Sequence, residues 1–286
     1  MKEVLRYEDV VVYSDKDVKE TEGAKVVFLD GSVANLEDLA IRNVGKGNIE
    51  FKIIENLVDS TIRNAMDIDS SYIEIIGGKF NVEIVETKNE VSKLEIIGTE
   101  DFAKSISVYN LSTGIRVESQ RETGNVIIGS VIVNGRRKPN TIEGVLKIYT
   151  NTKPSLYFEN NGGGSAKINT SVAKLTTKVN GSLEVDANSI DELDVSINGS
   201  GSIKAKEVIH DANIRISGSG NVEIDEGNFS ELKVNISGSG HVRADVTVER
   251  AELLLSGSGN IIVKHVTKES IEIHQGSGFV RVNERG

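Results

Sequence analysis

The chain has 286 residues, 33 basic and 43 acidic side chains for a formal net charge of −10, no cysteine, no tryptophan and 2 prolines. Without cysteine there is no disulfide framework, thiolate metal site, iron–sulfur cluster or cysteine nucleophile, and the acidic balance argues against nucleic acid as a partner, because Lys and Arg at the phosphates dominate that affinity. At 38% hydrophobic but only 5% aromatic residues, the core must be aliphatic.

The opening MKEVLRYEDVVVYSDKDVKE is charged throughout and holds no apolar segment followed by a small-residue cleavage site. Taken as the native start, it predicts a cytoplasmic protein. No stretch approaches the roughly 18 apolar residues of a membrane span. Within residues 1–55, turns at Asp30-Gly31-Ser32 and Val44-Gly45-Lys46-Gly47-Asn48 punctuate strands such as KVVFLDG and NIEFKIIE, which predicts a small β-rich unit. Residues 56–70, NLVDSTIRNAMDIDS, have weak helical spacing with polar punctuation and are expected to form a linker or short helix.

Residues 71–158 predict antiparallel strands in SYIEIIGG, FNVEIVE, SKLEIIG, SISVYN, GIRVESQ, NVIIGSVIVN and VLKIYTN. Asn134-Gly135-Arg136-Arg137-Lys138-Pro139-Asn140 carries the dense basic run and is expected to be a solvated hairpin tip.

Beyond this point the chain repeats. Gly-Ser-Gly recurs at Gly199 and Gly201, Gly218 and Gly220, Gly238 and Gly240, Gly257 and Gly259, and Gly276 and Gly278, with spacings of 19, 20, 19 and 19. Weaker turns at Asn161-Gly162-Gly163-Gly164 and Asn180-Gly181-Ser182 extend the series upstream. After each turn stand apolar columns: Ile203, Val222, Val242, Ile261 and Val280, then Ala205, Ile224, Ala244, Val263 and Val282. Before it stand Val195, Ile214, Val234 and Leu253, then Ile197, Ile216, Ile236 and Leu255. Alternation on both sides of a glycine turn predicts strands with one buried face. A fixed period near 19 residues predicts a parallel β-helix, or β-solenoid, in which each rung buries its apolar face on the next.

The glycines are expected to supply positive φ at the corners, and Ser200, Ser219, Ser239, Ser258 and Ser277 to hydrogen-bond along a ridge. Outward positions such as Lys204, Glu223, Arg243 and Ile262 are mostly charged, often with opposite signs on adjacent rungs. A dinucleotide loop is argued against by Lys204, Glu223, Arg243, Ile262 and Arg281, which stand where a third glycine would open a helix. Calcium-binding β-roll repeats need a turn aspartate that is missing here.

Three phrases carry a resemblance: Gly78-Lys79-Phe80-Asn81-Val82-Glu83-Ile84, Leu146-Lys147-Ile148-Tyr149 and the recurrent Ser-Gly-Ser-Gly rungs. Through them residues 71–286 resemble the auto-transporter adhesin "head GIN" domain family of bacteria. The resemblance implies a β-helical, oligomeric, non-enzymatic domain of the cell surface or envelope, with no catalytic residues to carry over. The opening segment departs from the family's usual export or lipoprotein signal.

The residues point the same way. His210, His241, His265 and His274 share no column, so no metal is expected, and no cofactor. Carboxylates lie between basic residues on outward faces, and no serine elbow with a histidine partner can be read, so no catalytic residue is assigned. A polysaccharide-acting enzyme is argued against by the thin aromatic supply. Leu254, Ile262 and Phe279 are apolar in polar outward columns of the last rungs and are candidates for self-association. Ile271 and Ile273 sit out of register with the upstream columns, which predicts a bulge or loosened core there. The final strand is an open β edge, and pairing with another copy, a homo-oligomer or end-to-end assembly, is the economical cover. The expected function is a non-enzymatic structural or interaction protein contacting an unknown protein or cell-envelope partner. The alternative is a cytoplasmic self-assembling scaffold similar to bactofilins.

Overall fold

Period-two alternation broken by a glycine corner every 18 to 20 residues lets each chain segment pair in parallel with the next at that offset, as Ile203 does with Val222 and Val222 with Val242. The computed structural model describes residues 2–7, 10–14, 18–22, 25–28, 33–35, 49–51, 62–98, 100–119, 131–133, 136–138 and 144–286. The chain divides into two units, residues 1–61 with 128–140, and residues 62–127 with 141–286.

In the first unit, β1 (Lys2–Tyr7), β2 (Val10–Ser14) and β6 (Ile49–Phe51) form one antiparallel sheet, and β3 (Val18–Glu22), β4 (Lys25–Phe28) and β5 (Val33–Asn35) another. A hairpin of β12 (Val131–Val133) and β13 (Arg136–Lys138) belongs to it as well. The basic run Arg136-Arg137-Lys138 is thus a strand of the hairpin and not its tip. An Asn-Gly pair, the preferred two-residue hairpin turn, precedes the arginines in the sequence. The expected turns at 30–32 and 44–48 lie outside the described residues.

The second unit opens with β7 (Ile62–Ile68), antiparallel to β9 (Ser92–Gly98), which is antiparallel to β14 (Gly144–Thr150). Residues 62–68 are therefore a strand, not the linker or short helix their spacing suggested. Register pairing from Ile62 through Ile68 along β9 overrides a weak local preference. A second difference concerns β8 (Tyr72–Glu86), which was expected to be antiparallel to its neighbours. It runs parallel to β14 and to β15 (Ser155–Val179), and its first half runs parallel to β11 (Gly114–Ser119). A short helix α1 (Glu100–Ser105) and the strand β10 (Ile106–Leu111), antiparallel to β11, intervene in sequence.

From β15 the solenoid continues through β16 (Ser182–Ile197), β17 (Ser202–Ile216), β18 (Asn221–Gly238), β19 (His241–Gly257), β20 (Asn260–Gln275) and β21 (Phe279–Arg285), all parallel. Each rung is one long strand with a register shift at the corner opposite the glycines, as between Val208 and Asp211. Along β17 the side chains of Ile203, Ala205, Val208, Ala212, Ile214 and Ile216 are all buried. Each large aliphatic there contributes about 1.5–3 kcal/mol by leaving water. These columns form one continuous core with Phe80 and Phe158, whose rings meet at 6.3 Å between centroids near its start.

Candidate interaction surfaces

One outward row crosses the second unit strand by strand. Register places side by side Glu95, Lys147, Glu83, Lys167, Asp186, Lys204, Glu223 and Arg243, a strict alternation of sign. Lys147 Nζ lies 3.2 Å from Glu83, and Lys204 Nζ lies 3.7 Å from Glu223 and 3.3 Å from Asp225. Asp225 foremost, then Glu223, holds the Lys204 ammonium above its ordinary value. Pairs this exposed are screened by water and salt and add little stability, so the row favours one register more than it holds the fold together. Beside it runs the column Glu184, Ser202, Asn221 and His241, and the two columns enclose a shallow groove of about 360 Å3. The alternation fails where an acid is due. Ile262 takes that place, between Arg243 and Arg281.

At the glycine ridge the backbone amides of Ser200, Ser219, Ser239 and Ser258 donate to the carbonyls of Gly181, Gly199, Gly218 and Gly238 at 2.9–3.0 Å. Positive φ occurs at Gly238, Gly257 and Gly276 but not at Gly199 or Gly218, where the expected reason for glycine does not apply. Close approach of rungs requires it instead: a Cβ on Gly199 would stand 2.2 Å from the Gly181 carbonyl oxygen. Of the expected serine ridge, a hydroxyl-to-hydroxyl bond joins Ser258 to Ser277 at 3.0 Å. Upstream an asparagine ladder stands nearby: Asn180 Nδ2 donates to Asn161 at 2.8 Å and Asn198 Nδ2 to Asn180 at 3.0 Å. The signal for it was Asn161, Asn180 and Asn198 at 18- to 19-residue spacing, and the sequence reading passed over it.

The solenoid end gathers the apolar departures into two places. Leu254 pairs with Ile273 and Glu252 with Ile271 on the face before the turn, where Ile271 is 49% and Ile273 53% exposed. Ile262 and Phe279 stand on the stretch after the turn, and the Arg281 guanidinium sits 5.2 Å from the centre of the Phe279 ring. Leu254, Ile262 and Phe279 therefore do not make a single patch. No bulge occurs between Glu269 and Gln275, whose register with Arg250–Ser256 is continuous; the shift lies earlier, between Val248 and Arg250. Glu272 and His274 thus occupy inward columns beside Leu253 and Leu255 and remain exposed. β21 pairs with β20 only over Asn260–Val266, so among the described residues the second half of β20 has a strand on one side alone. Arg285 reaches back to Glu272 at 2.7 Å and ties the last strand down.

Among the described residues no group of His, Asp and Glu is placed to hold a metal ion, and no helix is long and apolar enough to cross a membrane. What the architecture defines is a parallel β-solenoid with ladder-bearing faces, entered through an antiparallel sheet. The chain belongs to the family described as "Putative auto-transporter adhesin, head GIN domain", whose model matches residues 53–285. Among solved structures it is similar to a putative adhesin from Bacteroides fragilis, at 14% identity and a TM-score of 0.50 over 79% of this chain and 97% of that one. It is also similar to a putative lipid binding protein from Parabacteroides distasonis, at 16% identity and a TM-score of 0.49 over 78% of this chain and 96% of that one. A putative adhesin from Parabacteroides merdae follows, at 14% identity and a TM-score of 0.42 over 79% and 95%. At 14% identity the likeness to the Bacteroides fragilis protein speaks to the fold alone. None of these neighbours is named as an enzyme. No curated protein matches the chain.

Proposed function

We propose that the chain is a non-enzymatic, adhesin-type protein of the bacterial cell surface or envelope that contacts another macromolecule through the C-terminal end of its solenoid. The observation that carries this reading is the exposure of Ile271 and Ile273 beside Leu254, on a half-strand that among the described residues is paired on one side alone. Clustered apolar side chains beside unpaired backbone groups are costly to leave in water and mark contact sites. Membership in the head GIN family supports a role in adhesion over that of a cytoplasmic scaffold. A second copy of the chain is one occupant of this end, docking strand edge to strand edge. The first 55 residues are a separate β-rich module in this reading, with the solenoid as the contact-making part.

The test has two stages. Protease added to intact cells should digest the protein from outside, and complete protection would refute the surface role. The purified Ile271→Asp/Ile273→Asp variant should then bind cell surfaces, or sediment as an assembly, at least about tenfold more weakly than the parent, the scale expected for losing a buried anchor. Unchanged binding and unchanged sedimentation would remove the C-terminal end from the account.

A further inference from the structure

Three Asn-Gly pairs among the described residues, Asn161-Gly162, Asn180-Gly181 and Asn198-Gly199, stand one above another at the corner where successive rungs turn. Backbone bonds fix the stacking. The amides of Asn180, Asn198 and Ser217 donate to the carbonyls of Asn160, Val179 and Ile197, so the column runs Asn161, Asn180, Asn198 and then Ser217. An asparagine followed by glycine has a chemistry of its own. The glycine nitrogen, once its proton passes to solvent base, attacks the asparagine Cγ and closes a five-membered ring, because glycine has no side chain to obstruct the approach. In a folded chain two conditions govern that step: the nitrogen must be free of other bonds, and the side-chain amide must be free to swing towards it.

These conditions grade the three pairs. At Asn161-Gly162 the glycine amide donates to Asn160 Oδ1 at 3.2 Å, and Asn161 Oδ1 accepts from Asn180 Nδ2 at 2.8 Å. At Asn180-Gly181 the glycine nitrogen has no acceptor among the described residues, but the Asn180 side chain is held from both sides, donating to Asn161 and accepting from Asn198 Nδ2 at 3.0 Å. Asn198-Gly199 is the least restrained. The amides on either side of Gly199 are bonded, Asn198 N to Val179 O at 2.7 Å and Ser200 N to Gly181 O at 2.9 Å, whereas Gly199 N has no acceptor among the described residues. Asn198 is exposed, and the one bond from Nδ2 to Asn180 holds its side chain. The ladder ends there because the next rung carries Ser217 in place of a fourth amide.

We propose that Asn198 is a self-modifying site, converted to aspartate and isoaspartate through a succinimide formed with the Gly199 nitrogen. The bond from Gly199 N to Asn198 Cγ forms as the Cγ–Nδ2 bond breaks, and ammonia leaves with the proton that the Gly199 amide gave up and solvent returns. Water then adds to one ring carbonyl. Opening at Cγ gives aspartate, and opening at the main-chain carbonyl of residue 198 gives isoaspartate, whose backbone runs through Cβ and is one carbon longer. The net change is one water consumed and one ammonia released. Each hydrogen bond that must break before ring closure slows it about two- to tenfold, so Asn198 leads and Asn180 and Asn161 follow. The two products sit differently in the stack. Aspartate cannot donate to Asn180 Oδ1, so the ladder loses its last bond. Isoaspartate lengthens the chain at a corner with no slack, since a Cβ on Gly199 would already stand 2.2 Å from the Gly181 carbonyl oxygen. The reaction therefore loosens the middle of the solenoid, and it proceeds whether or not the chain is displayed on a cell.

The experiment holds the whole folded chain in mildly alkaline buffer made with heavy-oxygen water, digests it in ordinary water, and locates the label by peptide fragmentation. Heavy oxygen should enter at Asn198 at least about twofold faster than at Asn180 or Asn161, with both isomers present. In denaturant the three pairs should react alike. Ser217→Asn extends the ladder with a donor to Asn198 Oδ1, and it should slow Asn198 at least about twofold and pass the lability to the substituted position, itself followed by Gly218. Asn180→Ala, which frees the Asn198 side chain, should speed Asn198 by a similar factor. Equal rates at the three pairs in the folded chain, an Asn198 rate unmoved by both variants, or no label at Asn198 under conditions that label the denatured chain would overturn the proposal. Aspartate without isoaspartate would mean direct hydrolysis and would remove Gly199 N from the chemistry.

Discussion

Replacing Gly259 by alanine tests whether rung-to-rung contact, not backbone conformation, demands glycine at the corners. Gly259 is not among the glycines with positive φ, so alanine meets no conformational penalty there. Its Cβ, however, would lie 2.0 Å from the Gly240 carbonyl oxygen, and the rungs must part by at least about 1 Å to bring that contact to 3.0 Å. Three backbone hydrogen bonds cross the same spot: Gly259 N to Gly238 O at 3.2 Å, Asn260 N to Gly240 O at 3.2 Å and Phe279 N to Gly259 O at 3.3 Å. At about 1 kcal/mol each, weakening two or three of them with some repacking costs about 2–4 kcal/mol. Gly163→Ala is the matched control, since its Cβ meets only the Ser182 Oγ at 3.3 Å, a hydroxyl that can turn aside. Urea unfolding followed by circular dichroism, with amide exchange across 256–262 as the local readout, should separate the two variants. A Gly259→Ala protein within about 0.5 kcal/mol of the parent would refute the close-approach argument.

Two further outcomes are expected. If the charge row carries a real, if small, coupling, then Ile262→Glu, placed between Arg243 and Arg281, should be about 0.5 kcal/mol more stable than Ile262→Gln at low ionic strength, with the difference gone in about 1 M salt; equal melting at low salt would show the row to be decorative. Burial raises the Glu272 carboxyl, but hydrogen bonds from Ser270 and Arg285 outweigh it and hold the group below its ordinary 4.5. A depressed folded value means the stabilisation is present above the ordinary carboxylate range and is lost as pH falls through it. Exchange rates at Phe279–Arg285, corrected for intrinsic pH dependence, should therefore rise relative to β17 between about pH 6 and about pH 3, and Glu272→Gln should flatten that difference; a last strand equally protected at both ends of the range would contradict the Arg285 tie.

The solenoid was legible because identical constraints recur. Ile203, Val222, Val242 and Ile261 share a column because each faces the same core, and the period of the glycines fixes their register. The entry sheet was not legible to the same depth. Alternation along Tyr72–Glu86 marks a half-buried strand but says nothing about whether its neighbours run parallel or antiparallel, and those neighbours, β11, β14 and β15, lie far along the chain. At the solenoid end the out-of-register isoleucines were visible, and continuous pairing from Glu269 to Gln275 keeps them on the outward side, opposite Glu252 and Leu254, without a bulge at the site itself. Leu254, Ile262 and Phe279 looked like one group because they are near in sequence, whereas the turn between Leu254 and Ile262 carries them to different stretches of the rung.

From Ser155 onward no break between successive strands exceeds four residues. A protease must draw several consecutive residues, freed from their neighbours, into an extended cleft before it can cut. Gaps this short, hydrogen-bonded corner to corner by the serine amides, offer no such length. Cleavage within the stack must therefore wait for a rung to peel away, and only the terminal rung can do so without parting two neighbours at once. Among the described rungs, digestion should therefore proceed as erosion from the β21 side of the stack inward.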